Sequence, residues 1–104
     1  AVQIGVSAWT AEALKNTLAA SIFSRSTECH NQDKVSMGTI AARDASRVIT
    51  LTQQVIAALC CASVQAIHLK GLTTQLSPTL QTFMQWTLQS IAFVEEDRPL
   101  QTEL

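Results

Sequence analysis

"VITLTQQVIAALCCASVQAI", residues 48 to 67, runs for twenty positions without a charged side chain. That is the length of a membrane span. Thr50, Thr52, Gln53, Gln54, Ser63 and Gln65 interrupt it, however, and a glutamine pair near mid-span is costly in lipid. The stretch is therefore expected to form a buried helix of a soluble protein, with no membrane partner.

Extended in both directions, the pattern predicts one helix from about Val35 or Met37 to Leu69. Ala41, Ala45, Val48, Thr52, Val55, Leu59, Ala62 and Ala66 alternate four and three apart, a coiled-coil-like seam. Ile40, Ile49, Ile56, Val64 and Ile67 occupy its other faces, so the helix is apolar nearly all round beyond its first three turns, as inside a bundle. Asp44, between Arg43 and Arg47, marks the wetter end, where exposed charge pairs stabilise weakly. Some thirty residues of helix reach about 45 Å, longer than the core of a small domain. The helix is expected to protrude or to belong to something larger.

Flanking elements are shorter. Val2 to Leu18 reads as a helix with Glu12 and Lys15 one turn apart on a charged face. "AASIFSRSTECHNQD", residues 19–33, has no sustained period and reads as an ordered loop. "KGLTTQLSP", residues 70–78, ends the long helix at Gly71 and starts another at Ser77-Pro78. That last helix is expected over Pro78 to Val94, burying some of Leu80, Phe83, Met84, Trp86, Leu88, Ile91 and Phe93. "EEDRPLQTEL" follows as a polar tail in which Pro99 opposes continuation. The fold class is all-α, a single helical segment over residues 1–104 with a long central helix and flanking helices, without internal repeat or low-complexity tract.

Composition agrees with a piece that needs company. Charged side chains make up 14% of the 104 residues, against about a quarter in ordinary soluble domains, so apolar faces are expected to be covered by partners. Seven basic and eight acidic residues give a net charge of −1, with no basic run to follow a phosphate backbone, which argues against nucleic acid. Cys29, Cys60 and Cys61 lack the paired spacing of a secreted scaffold, and reduced thiols in a cytoplasmic setting are expected. The first dozen residues show no basic leader or cleavage pattern, and Ala1 in place of an initiating Met suggests a processed or trimmed chain.

Chemistry concentrates at residues 28–34, Glu-Cys-His-Asn-Gln-Asp-Lys, immediately before the long helix. Glu28, Cys29, His30 and Asp33 raise the question of metal, but adjacent side chains in an extended loop point apart and no second cysteine or histidine lies at ligand spacing, so no metal is expected. A Cys29–His30 nucleophile pair would need the base to face the thiol, which sequence neighbours seldom manage. Cys60 and Cys61 diverge by about 100° around a helix and read as buried structural thiols. A binding platform remains, in which Glu28, Asn31 and Gln32 offer a carboxylate and two amides beside a helix N-terminus. Asp33 reads as a plain N-cap.

"ECHNQDKVSMGTIAARD", residues 28–44, resembles the segment of the aromatic amino acid ammonia-lyase and 2,3-aminomutase superfamily in which a Glu, a His-Asn-Gln-Asp run, a Ser-Met/Leu-Gly step and an Ala-rich step ending in Arg open a long core helix. "LCCASVQAIHLKG" and "EEDRPLQTEL" are similar to later parts of the same family. The resemblance implies the C-terminal part of a much longer all-α enzyme with a fumarase/aspartase-type core, assembled as a homotetramer from identical subunits. It implies an electrophilic methylidene-imidazolone (MIO) made from an internal Ala-Ser-Gly, and a tyrosine base. Neither is present here, so the chain alone is expected to be inactive and to hold no cofactor of its own.

By the same resemblance, Glu28 looks like the carboxylate near the substrate amino group, and Asn31 and Gln32 like amides lining the site; Glu28 and Gln32 would act in catalysis. Histidine-specific relatives usually carry Glu where Gln32 stands, so the resemblance implies phenylalanine or tyrosine as substrate. Lys34 and "VSMG" are more like the bacterial than the plant pattern. A histidine ammonia-lyase fragment and a non-enzymatic helical oligomerisation module are the alternative readings.

Overall fold

The computed structural model describes residues 2–32 and 35–100. Helices α1 (Val2–Lys15), α2 (Gly38–Leu69) and α3 (Pro78–Ser90) are joined by loops carrying short 3₁₀ turns at Ala20–Phe23 and Thr73–Gln75. The chain divides into two compact units, Ala1–Gln53 and Gln54–Leu104.

In the first unit, α1 ends three residues before the expected Leu18. At its end Asn16 turns its side-chain Nδ2 back onto the Glu12 carbonyl at 3.0 Å, which also accepts from the Asn16 backbone N–H at 3.2 Å. Glu12 does not rely on Lys15 as expected. Its Oε1 accepts from Arg47 Nε of α2 at 2.7 Å, and this hydrogen bond, more than the weaker attraction of Lys15, lowers the carboxyl pKa. Arg47 gains a partner on another helix, so the charge cluster expected around Asp44 is opened by a tertiary contact. Leu51 is fully buried and Ala20 nearly so.

In the second unit, α2 ends in a Schellman motif. Gly71 sits at φ 64°; its N–H donates to the His68 carbonyl at 3.0 Å and that of Leu72 to Ile67 at 3.1 Å. Ser77 caps α3, its hydroxyl accepting from Leu80 N, with Pro78 in the first turn. Helix α3 stops at Ser90 rather than Val94, and Ile91 turns extended. The chain beyond it is held by Gln65, whose Nε2 donates to the Val94 carbonyl at 2.7 Å while its Oε1 accepts from Val94 N at 3.2 Å. His68 packs against Phe93 with ring centroids 4.4 Å apart.

The buried positions of α2 lie off the expected seam. Leu51, Ala58 and Val64 are buried; of the eight seam positions only Val48 and Val55 are even half-buried, the other six being exposed. Leu51 and Ala58, seven residues apart, lie beside the seam, whereas Val64 is about 120° further round, and an apolar surface that wraps most of the way round gives periodicity no means of choosing among these faces. In α3, Met84 and Thr87 are buried, as is Ile91 just beyond it, whereas Leu80, Phe83 and Trp86 are exposed. Cys60 and Cys61 are half-buried rather than enclosed, and the described residues form no disulfide. Among the described residues α2 is also long and apolar enough to cross a bilayer, with a mean hydropathy of 1.5 in its most apolar window.

Two measurements test this packing. Leu51→Ala should destabilise the chain by about 2–5 kcal/mol, the usual cost of emptying a closed leucine site; a change within noise in chemical denaturation would contradict the burial. Because the folded pKa of Glu12 is lowered, its contribution is fully present above the unfolded value near about pH 4.3 and is lost as pH falls through the folded value. Glu12→Gln should thus lower the melting temperature slightly at neutral pH and low salt, with the difference vanishing in acid or at high salt.

Candidate functional site

Residues 28–31 form a tight turn closed by an isolated antiparallel bridge between Thr27 and Gln32. The pair exchanges both backbone bonds, Thr27 N to Gln32 O at 3.0 Å and Gln32 N to Thr27 O at 3.2 Å, and Asn31 N donates to Glu28 O at 3.0 Å inside them. Glu28, Cys29 and His30 all take positive φ, 54°, 55° and 69°. This loop is therefore not extended, as the metal argument assumed, but coiled left-handedly.

Left-handed backbone costs an L-residue roughly 1–2 kcal/mol, and no glycine relieves it here. Strain of this kind persists where surrounding contacts over-determine it. Those contacts come from hydroxyl groups just upstream. Ser26 Oγ lies 2.8 Å from His30 Nδ1, Thr27 Oγ1 donates to Gln32 Oε1 at 3.1 Å, and Ser24 Oγ accepts from Val35 N at 2.8 Å. Arg25 Nη1 donates to the Phe23 and Ser24 carbonyls. Met37, at φ 55°, makes the last bend before Gly38 opens α2.

The turn brings the three site residues expected from sequence onto one short, exposed feature. Glu28 and Asn31 have no side-chain hydrogen bond among the described residues, while the oxygen of the Gln32 amide is engaged by Thr27 and its NH₂ is left to donate. The supporting hydroxyls of Ser24, Ser26 and Thr27 were not singled out by sequence, because serine and threonine in a loop carry no period that assigns them partners. Among the described residues no three His, Cys, Asp or Glu side chains lie together to hold a metal ion. His30 is engaged by Ser26, not by Cys29. The N-cap expectation for Asp33, and Lys34, lie outside the described residues. Beside the turn, Ser21, Ile22, Val35 and Ser36 line an open groove of about 580 Å³.

An all-α segment presenting a strained acid-amide turn ahead of a long apolar helix is what the structure defines. The sequence profile of the family described as aromatic amino acid lyase matches residues 1–88, and the chain belongs to that family. It is 39% identical over 79 residues to a tyrosine ammonia-lyase of Cupriavidus metallidurans, an alignment covering 76% of this chain and 15% of that protein. It is 37% identical over 79 residues to a histidine ammonia-lyase of Bacillus subtilis, with the same coverage. With a tyrosine ammonia-lyase of Cereibacter sphaeroides it shares 36% over 104 residues, 98% of this chain and 20% of the relative. The chain thus spans a fifth or less of the length of these curated relatives. No solved structure matches it.

If the left-handed turn is held as described, Cys29→Gly should stabilise the chain by about 0.5–1 kcal/mol, relief of the backbone exceeding the entropy glycine adds to the unfolded state. A fall in melting temperature would contradict the φ at that position.

Proposed function

We propose that this chain is the C-terminal part of an ammonia-lyase or 2,3-aminomutase acting on phenylalanine or tyrosine, and that its acid-amide turn forms one wall of the substrate pocket. The observation that carries the proposal is the exposed turn itself, within the matched residues 1–88, where Glu28, Asn31 and Gln32 stand together with polar groups free for a ligand. Glu28 offers a carboxylate to the substrate ammonium, a charge-assisted bond about twice as strong as a neutral one. Asn31 and the Gln32 NH₂ offer donors to substrate or prosthetic-group oxygens, fixing the reacting geometry.

The methylidene-imidazolone, when bound, supplies the electrophile. Amide donors beside a carboxylate fit the carbonyl oxygens of such a group and the amine that approaches it. Its precursor is not in this chain, where the three Ala-Ser pairs are followed by Ile22, Arg47 and Val64, and there is no tyrosine to serve as base. The chain alone is therefore proposed to be inactive, completed by the rest of its polypeptide and by identical subunits of a cytoplasmic homotetramer. Exposed Ile49, Ile56, Leu59 and Trp86 support the need for such cover.

Gln32 favours the aromatic substrates over histidine in this proposal, since a neutral amide does not offer an imidazolium the charge that a carboxylate would. In the complete enzyme, Glu28→Gln should lower kcat/KM by roughly a hundredfold, the order found when one preorganised electrostatic partner is removed, and Gln32→Glu should shift preference toward histidine. Steady-state kinetics on tyrosine, phenylalanine and histidine decides it, and unchanged turnover in both variants would refute the assignment.

A further inference from the structure

Resting on the reading of Gln32 as a substrate-facing group, we propose that Thr27 is a positioning residue that anchors the Gln32 amide where it meets the ligand. Thr27 and Gln32 stand directly opposite each other and exchange both backbone hydrogen bonds, so their side chains leave the ribbon on the same face, close enough to pair. The β-branch of threonine restricts χ1 and holds its hydroxyl in place. That hydroxyl donates to Gln32 Oε1 at 3.1 Å.

An amide carries an acceptor end and a donor end of nearly the same shape. With Oε1 accepting from Thr27, the N–H bonds of Nε2 are the unfilled capacity. In this arrangement Gln32 offers a ligand its donor end, suited to a hydrogen-bond acceptor such as a carboxylate or carbonyl oxygen. The bridge that sets this pairing also closes the left-handed residues Glu28, Cys29 and His30, so the placement of Gln32 and the shape of the turn depend on one residue pair.

The test compares Thr27→Val, which keeps the shape and loses the hydroxyl, with Thr27→Ser, which keeps the hydroxyl. In the 104-residue chain, the Gln32 side-chain NH₂ resonances, assigned by their loss in Gln32→Leu, should move in Thr27→Val and stay near their wild-type position in Thr27→Ser. Signals unmoved by Thr27→Val overturn the proposal. In the complete enzyme, Thr27→Val should lower kcat/KM about tenfold, the value of one neutral hydrogen bond, Thr27→Ser should stay within about twofold of wild type, and Thr27→Val should cost nothing further when Gln32 is already leucine. An equal loss in both backgrounds means a merely structural role and overturns it. A Gln32→Leu enzyme of unaltered kcat/KM overturns the site reading instead, and the NH₂ spectrum then judges Thr27 by itself.

Discussion

Helix α2 has more apolar surface than the described chain covers, and most of the structure follows from that imbalance. Burying a large aliphatic side chain is worth about 1.5–3 kcal/mol, and Leu51, Ala58 and Val64 collect part of this gain. Ile49, Ile56 and Leu59 on the same helix do not. With few charges in the sequence, contacts that bind the flanks to α2 fall to a small number of specific polar links. Arg47 takes Glu12 from α1, and Gln65 takes the backbone at Val94.

The turn ahead of α2 shows the opposite economy, spending backbone conformation to concentrate polar groups. Three successive L-residues at positive φ would unwind if left alone, and the bridge at Thr27 and Gln32 prevents it. The carboxylate of Glu28 and the amides of Asn31 and Gln32 all stand on this one exposed turn and its closing bridge. Three hydroxyls immediately upstream, at Ser24, Ser26 and Thr27, supply the side-chain hydrogen bonds that hold it. Local sequence thus provides both the polar groups of the turn and the hydroxyl frame that holds it.

Much of this was legible in the residues alone. Gly71 and Ser77-Pro78 announce their helix boundaries through backbone chemistry that is local and nearly obligatory, and the all-α class follows from the long apolar period. The family followed from the His-Asn-Gln-Asp run and its neighbours, a pattern too specific to arise from helix packing. Less visible was anything that depends on distance along the chain. Glu12 has a suitable partner three residues away in Lys15, so nothing local points thirty-five residues on to Arg47. The buried positions of α2 were missed because the faces around them are nearly as apolar. The left-handed coil at Glu28–His30 carries no glycine to signal it, and its bridge joins two residues that no periodic pattern pairs.

Gln65 performs the work of a neighbouring β-strand with a single side chain, giving and receiving one hydrogen bond at Val94. In extended backbone, consecutive residues turn their N–H and C=O groups to opposite sides. Adding or deleting one residue between Ser90 and Val94 would bring a residue to Gln65 with both groups facing away. A connection of only three residues, of the kind that usually tolerates changes in length, is here counted to the residue, like a key cut for one lever.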